Sequence, residues 1–253
     1  EEDSWLITET SSFQLETIKD FRPEVSAILN LTPDHIDRHK TMVNYGSAKA
    51  AVFKNQTPDQ YCVVNYDDKE CLGLTENCNA KVVPFSRKTT LDFGVYVDGD
   101  TIIIKDEDGK ITEICRPVDL QIPGAHNLEN ALAACAIAYF GGIEPEVIGK
   151  VLREFRGVEH RIELCNTIDD IRFVNDSKGT NPDASIKAIE AMKENIILIA
   201  GGYDKDASFD EFVKAFEGRV KTLLLMGKTA TKIKEVAEKE GFTNSIILKD
   251  MEA

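Results

Sequence analysis

The sequence of 253 residues has few of the features that mark secreted, membrane or metal-binding proteins. Its six cysteines include no Cys-x-x-Cys pair, and none lies near the four histidines at a spacing typical of zinc ligands. No apolar run approaches the length that crosses a bilayer, and no basic, apolar leader precedes the first predicted strand. We therefore expect a cytoplasmic protein with reduced thiols.

Basic residues are scarce relative to acidic ones. Lysine and arginine number 30 against 44 aspartates and glutamates, which gives a formal net charge of -14. A surplus of negative charge opposes binding to nucleic acids and to anionic membranes, so both are excluded as main partners. An anionic substrate would need a local basic pocket.

The chain also lacks any proline-rich or glycine-rich tract long enough to be disordered, and its length fits two domains. In the first half, short strands alternate with helices, which predicts an α/β fold with a mostly parallel central sheet. Asp-Gly turns such as Asp98-Gly99 add a small antiparallel accessory. After Gly157 a second β-α-β-α series predicts a Rossmann-like, doubly wound domain. We place the domains at residues 1–156 and 157–253.

Both domains are expected to be incomplete, the first at its amino end and the second at its carboxyl end. The apolar residues 5–10 are predicted to form a strand at the very start of the chain. Residues 171–174 are predicted to be the first strand of the doubly wound sheet, followed by a strand at 196–200. Because ligands of such sheets bind beyond the carboxyl ends of the strands, we expect residues 175–181 to lie beside residues 201–205.

The most informative stretch is Asn175-Asp176-Ser177-Lys178-Gly179-Thr180-Asn181-Pro182, at a predicted strand-to-helix turn. Pro182 suits the first turn of a helix, and Thr180 or Asn181 can cap it. The helix N–H groups would then face outward, where they favour an anion. An ordinary cap and turn would use the same types of residue.

Residues 29–39 place two histidines, two aspartates and an arginine directly after a predicted strand. His35 and His39 are one helical turn apart and could share zinc, but no third ligand lies nearby. His35 with oxygen donors suits Mg²⁺ better. An acidic cap with surface histidines is the alternative.

Three further segments carry groups suited to binding. Residues 9–16 place a carboxylate at the end of an apolar run, followed by two hydroxyls. Residues 124–130 put Asn127 and Asn130 on one face of a helix, and residues 159–163 offer Arg161 to a phosphate. By contrast, the Gly-Lys-Thr at residues 227–229 lacks the second glycine of a phosphate-binding loop and is predicted to be a turn.

Taken together, and in this order, these segments resemble the Mur ligases, the ATP-dependent enzymes of peptidoglycan precursor synthesis. Residues 11–16 and 175–181 are most similar to the branch that adds D-glutamate. The resemblance implies a monomeric enzyme that joins D-glutamate to UDP-N-acetylmuramoyl-L-alanine through an acyl phosphate, with ATP and two Mg²⁺ ions. The chain by itself is expected to be inactive.

The resemblance also implies roles for individual residues. Glu9 and His35 would hold Mg²⁺, and Lys49, as a carbamate, would help to hold a second ion; these three form the predicted catalytic group. Carbamylation needs the neutral amine, so Lys49 would need a lowered pKa or a product that is trapped by metal. A solvated helix lysine is the alternative.

The other positions divide between nucleotide and substrate. The predicted ATP contacts are Asn127, Asn130, His160, Arg161 and Asp176. The predicted substrate contacts are Ser11, Lys178, Thr180 and Lys205. Gly179 departs from the family, where alanine is more usual.

Three alternative functions remain open. The first is a ligase similar to folylpolyglutamate synthetase, which shares the architecture and also adds glutamate. The second is a non-catalytic nucleotide-binding module. The third is a metal-dependent hydrolase that uses His35, Asp37 and a carbamylated Lys49.

Overall fold

The computed structural model describes residues 4–193, 195–203 and 207–252. The chain divides into two compact units, one formed by Glu1–Leu120 with Leu128–Phe155 and the other by Gln121–Asn127 with Arg156–Ala253. The domain boundary after residue 156 stays a prediction. Within the described ranges, no helix combines the length and the apolar character that a bilayer span requires.

The first unit is built on a six-stranded sheet. Its strands are β1 (Val25–Ile28), β2 (Tyr61–Asn65), β3 (Lys81–Ser86), β4 (Gly94–Asp98), β5 (Thr101–Lys105) and β6 (Ile111–Cys115). They lie in sequence order, with β1 to β4 parallel and β4 to β6 antiparallel. The predicted mostly parallel sheet is therefore confirmed, and the antiparallel accessory continues it.

One short helix precedes β1, three more short helices follow β1 and β2, and two longer helices follow β6. They are α1 (Ser12–Leu15), α2 (Ile36–His39), α3 (Met42–Ala50), α4 (Lys69–Leu74), α5 (Ala125–Phe140) and α6 (Pro145–Glu154). Thr41 caps α3 by accepting from the Asn44 amide at 3.1 Å, and Asp68 caps α4. Such caps supply partners for N–H groups that a helix leaves unpaired at its start.

Strand β2 has both faces buried. Because successive side chains of a strand point to opposite faces, Val63 packs into one apolar cluster while Cys62 and Val64 pack into the other. Both faces of a parallel strand are expected to be apolar for this reason. Burial raises the pKa of Cys62 and of Cys71 to about 12, so both thiols stay protonated and unreactive near neutral pH.

The second unit contains two separate sheets. Strands β7 (Glu163–Ile168) and β8 (Ile171–Asn175) form an antiparallel pair, and β9 (Ile196–Gly202), β10 (Val220–Gly227) and β11 (Ser245–Ile247) form a parallel sheet in the order β11-β10-β9. The helices are α7 (Pro182–Ala191), α8 (Asp210–Lys214) and α9 (Ala230–Lys239). Leu223 and Leu225 of β10 are fully buried against these helices.

The prediction that residues 171–174 join the parallel sheet was wrong. They lie in β8, which pairs with β7 in an antiparallel hairpin. Asp169 and Asp170 make the two-residue turn with φ values of 49° and 63°, the left-handed backbone that tight hairpins require. Strand pairing in the described residues therefore does not set residues 175–181 beside the end of β9.

The predicted strand at residues 5–10 was also wrong. This segment has no regular secondary structure, and Leu6 and Ile7 are 86% and 90% exposed. A strand needs a neighbour to accept its backbone hydrogen bonds, and no described strand pairs with this run.

We expect Gly94→Ala to destabilise the first unit by roughly 3 kcal/mol, as measured by urea unfolding. Gly94 begins β4 with φ 115°, and a Cβ there would overlap the carbonyl oxygen of Pro84. The matched control is Gly99→Ala in the β4–β5 turn, where φ is 56° but no atom lies within 4 Å. That change should cost only about 1 kcal/mol for the left-handed backbone. Equal costs would contradict the close approach at Gly94.

Candidate active site

His35 lies at the amino end of α2 in a strained backbone conformation. It adopts φ 53° and ψ 30°, the left-handed region, which few residues other than glycine occupy and which is common at functional sites. Its side chain is 46% exposed, and Nε2 lies 3.5 Å from Oδ2 of Asp34. The imidazole is therefore accessible to a ligand.

The buried ring of Tyr45 brings His35 and Lys49 together. The His35 ring meets it edge-on with centroids 6.5 Å apart, and Lys49 Nζ lies 5.1 Å from its centroid. Lys49 sits in the last turn of α3 and is partly buried, so it is not a fully solvated helix lysine. Tyr45 was not predicted as a site residue, although its position four residues before Lys49 places both on one helix face.

Glu9 and Ser11 lie in the segment that leads into α1. Glu9 is exposed. Ser11 is the N-cap of α1: its hydroxyl donates to Gln14 Oε1 at 3.0 Å and accepts from the Gln14 amide at 3.3 Å. A substrate contact by this hydroxyl would have to compete with the capping box, and it stays a prediction.

A chain of polar groups, buried at Ser12 and His39, joins α1 to α2. Ser12 Oγ is 3.0 Å from His39 Nε2, and His39 Nδ1 is 3.3 Å from Glu16 Oε1. Glu16 also accepts from Arg38 Nη2 at 2.8 Å, and that bond, with the charge of Arg38, lowers the pKa of Glu16. Both ring nitrogens of His39 are thus occupied, so His39 is not available to share zinc with His35.

The donors near α1 and α2 suit a metal ion that is held only partly by protein. Within the described residues, no group of three or more histidine, cysteine or acidic side chains could hold a metal. Glu9 offers a carboxylate and His35 an imidazole, and Mg²⁺ usually keeps several waters and substrate phosphate oxygens beside one or two protein ligands. The residues therefore fit a phosphate-bound Mg²⁺, and the metal roles of Glu9, His35 and Lys49 stay predictions.

In the second unit, Asp176 follows β8 and is partly buried. Its Oδ1 accepts from the Ile162 amide at 3.0 Å. Burial raises the pKa of Asp176, while the Ile162 hydrogen bond and the charges of Arg161 and His126 act to lower it. Arg161 and Asp176, both predicted to contact ATP, therefore lie close together, because Arg161 directly precedes Ile162 in the chain.

His160 ties the segment before β7 to the turn after β8. Its Nδ1 lies 2.9 Å from Asn175 Nδ2, and its carbonyl oxygen accepts from the Lys178 amide at 2.9 Å. His160 and Ile162 have φ values of 67° and 48°, a left-handed backbone at a position that the sequence did not flag. The structure thus gathers His160 with the predicted Asp176 turn.

The predicted substrate residues of the second unit are exposed where they are described. Lys178 and Thr180 lie on the surface of the turn, and Lys205 falls outside the described residues. Asn181, rather than Thr180, caps α7, with its Oδ1 accepting from the Ala184 amide at 2.8 Å. A Cβ on Gly179 would meet Oδ2 of the Asp176 carboxylate, so alanine at this position would require the Asp176 side chain to shift.

The predicted asparagines lie at the start of α5. Asn127 is buried, and its Nδ2 donates to the Pro123 carbonyl oxygen at 2.6 Å, so it holds the entry to the helix. Asn130 is exposed one turn later, in the first unit. Their ATP contacts stay predictions.

Comparison with known proteins decides the family. Residues 1–138 match the model of the Mur ligase middle domain, and residues 160–253 match the model of the Mur ligase, glutamate ligase domain. The chain belongs to the Mur ligase family.

Two similar curated proteins carry the same name. The "UDP-N-acetylmuramoylalanine--D-glutamate ligase" of Thermoanaerobacter sp. (strain X514) is 53% identical over 247 residues, which are 98% of this chain and 54% of that protein. The protein of the same name from Clostridioides difficile (strain 630) is 52% identical over 251 residues, 99% of this chain and 55% of its own. The chain therefore spans about half the length of these relatives.

Solved structures of other Mur ligases share the fold. MurC from Thermotoga maritima superposes with a TM-score of 0.67 at 20% identity, covering 95% of this chain and 53% of that one. MurF from the same organism, in complex with ADP, gives a TM-score of 0.64 at 14% identity over 94% of this chain and 55% of its own. At such identities the likeness is one of fold alone.

We expect Asp176→Asn to keep the Ile162 amide protected from hydrogen exchange, because the asparagine Oδ1 can still accept that bond. Asp176→Ala should expose the amide and speed its exchange roughly fivefold, the effect of about 1 kcal/mol. Equal exchange rates in the two variants would contradict the hydrogen bond between Ile162 and Asp176.

The pH dependence of stability follows from the raised pKa of Asp176. The folded state binds the Asp176 proton more tightly than the unfolded chain does. The stabilisation of the folded state by this proton is therefore fully present below the ordinary pKa of 3.8 and is lost as pH rises through the folded pKa. As pH rises from below 3.8 through the folded pKa of Asp176, the free energy of unfolding of the wild type should therefore fall relative to that of Asp176→Asn. A constant difference between the two proteins, measured by urea unfolding at several pH values, would contradict it.

Proposed function

We propose that the protein carrying this chain is an ATP-dependent ligase that adds D-glutamate to UDP-N-acetylmuramoyl-L-alanine in peptidoglycan precursor synthesis. The observation that carries the proposal is the high identity, over nearly the whole chain, to relatives named for this reaction. Two clusters support it, one around His35 and Lys49 and one around Asp176. Since the reaction consumes ATP and a UDP-linked sugar, we place it in the cytoplasm. We further propose that the enzyme is a monomer.

The proposed reaction has two steps. The free carboxylate of the UDP-sugar-alanine attacks the γ-phosphorus of ATP, which forms an acyl phosphate and releases ADP. The amine of D-glutamate then attacks the acyl carbon, loses a proton, and expels inorganic phosphate as the amide bond forms. Such chemistry is accelerated mainly by positioning the reactants and neutralising their charge.

The first unit offers the groups suited to the phosphates. Mg²⁺, when bound, would neutralise charge on phosphate oxygens. The exposed Glu9 carboxylate and the half-exposed His35 imidazole would bind it, with His35 held in place by its left-handed backbone. Lys49 lies against the same Tyr45 ring as His35, so a carbamate on its Nζ would add a second anionic donor to this region.

The second unit offers groups suited to the nucleotide and to the dicarboxylic amino acid. Arg161 is exposed beside Asp176 and would present its guanidinium to phosphate oxygens. Lys178 is exposed on the turn that Asp176 and His160 hold in shape. Its ammonium would pair with a carboxylate of D-glutamate, together with Thr180 and the predicted Lys205.

The ligase is tested by phosphate release from the full-length protein that carries this chain. Release should require ATP, the UDP-sugar-alanine and D-glutamate together. Release without the amine would favour the metal-dependent hydrolase, and activity with a folate substrate and L-glutamate would favour the folylpolyglutamate synthetase alternative. Nucleotide binding with no turnover of any kind would leave the non-catalytic module.

We expect Lys49→Ala to lower kcat of the full-length protein by a factor on the order of 100 or more, with partial rescue by short carboxylates such as acetate. Lys49→Arg keeps the charge but cannot form a carbamate, so it should fail equally. Incubation of the wild type with ¹³C-bicarbonate should add a carbamate signal to the ¹³C NMR spectrum that Lys49→Arg lacks.

The control is Lys54→Ala, which removes an exposed lysine just after α3 and its following turn. It should retain the wild-type rate. A wild-type rate in Lys49→Arg would remove the carbamate from the mechanism.

A further inference from the structure

We infer that His39 is a positioning residue: the chain Ser12–His39–Glu16, which is buried at Ser12 and His39, holds the stacked rings that place His35 and Lys49. The inference rests on the proposed function for its catalytic meaning. His39 touches neither substrate nor cofactor groups in this role and acts through the side chains packed against it.

The two polar contacts of the His39 ring, one to Ser12 and one to Glu16, define one ring orientation. Because a carboxylate can only accept, the 3.3 Å approach of Glu16 Oε1 to Nδ1 favours the tautomer with its proton on Nδ1 and with Nε2 accepting from the Ser12 hydroxyl. Arg38 completes the chain by donating to the other carboxylate oxygen of Glu16. Since each polar atom of the ring has a partner, a rotation of the imidazole would leave buried groups unpaired, which is costly.

The same ring is the base of an aromatic stack. The ring of Phe13 lies on His39 with centroids 5.6 Å apart and planes 11° from parallel, and it also contacts the His35 ring at 4.8 Å. On another side His39 contacts Tyr45 at 5.2 Å. Phe13 and Tyr45 are therefore the two side chains that join His39 to His35, and Tyr45 continues to Lys49.

The chain resembles the serine–histidine–acid arrangement of hydrolases in its connectivity alone. The side chain of His39 is only 3% exposed, and Ser12 as a whole is also 3% exposed. A nucleophilic hydroxyl must reach the reacting carbonyl, so burial excludes Ser12 from that role. The buried ring of His39, with both nitrogens paired, instead fixes the spacing of α1 and α2 and the positions of the rings on these helices.

The test uses Ser12→Ala in the full-length protein, with Ser12→Thr as the conservative variant. Ser12→Ala removes the hydrogen bond to His39 Nε2 without removing any of the ring side chains. We expect kcat to fall about tenfold, because small displacements of catalytic groups are costly. The KM for D-glutamate should stay unchanged, since its predicted contacts lie in the second unit. Ser12→Thr restores the hydroxyl and should recover most of the rate.

The matched control is Thr17→Val, which removes another hydroxyl close to α1, one that donates to the Gln14 carbonyl oxygen and not to His39. It should keep the wild-type kcat. Long-range ¹H–¹⁵N NMR of the imidazoles provides a readout that does not depend on activity. The wild type and Thr17→Val should show His39 as a single Nδ1–H tautomer, while Ser12→Ala should show a mixture together with shifted His35 resonances.

The experiment distinguishes failure of the positioning role of His39 from failure of the proposed function. If the wild type turns over and folded Ser12→Ala, checked by near-UV circular dichroism, has an unchanged kcat and unchanged His35 resonances, the positioning role is overturned alone. If the wild type shows no release that depends on D-glutamate, the proposed function fails, and the catalytic meaning of this chain fails with it. A His39 that populates both tautomers in the wild type would overturn the inference in either case.

Discussion

The burial of β2 on both faces is the constraint on which the first unit depends. Val63 on one side and Cys62 with Val64 on the other leave this strand no surface for water, so apolar layers must cover both sides of the sheet. One layer includes α5 and α6. The other layer includes Leu15 of α1 and Tyr45 of α3. The side chains of the candidate site that pack against Tyr45 are therefore held in place by the core.

Tyr45 shows how a core residue becomes part of a site. Its ring is 5% exposed and packs among apolar side chains, yet its surface also receives Lys49, His35 and His39. Rings in a packed core cannot move without opening voids, so the positions of the polar groups around Tyr45 are determined by the hydrophobic packing. Precision at the candidate site therefore derives from the core and not from the exposed loops.

The second unit uses polar contacts for the same purpose. The turn after β8 is held by the Ile162 amide on Asp176 and by the His160 carbonyl oxygen on the Lys178 amide. These bonds fix the backbone while Lys178 and Arg161 remain exposed. A turn whose backbone is held by hydrogen bonds and whose cationic side chains are exposed suits the capture of anionic ligands, since the entropic cost of ordering on binding is limited to those side chains.

Local patterns in the sequence were sufficient for the strands of the first parallel sheet, the turn at residues 98–100 and the start of α7 at Pro182, and they carried the resemblance to the Mur ligases. Hydrophobic period and capping chemistry act over a few residues, so they can be recognised without coordinates. The pairing of β8 with β7, the lack of a partner for residues 5–10, and the ring stack of Phe13, His39 and Tyr45 depended on which distant segments meet. Only the tertiary structure decides such contacts, because strand pairing and side-chain burial are satisfied by partners far away along the chain.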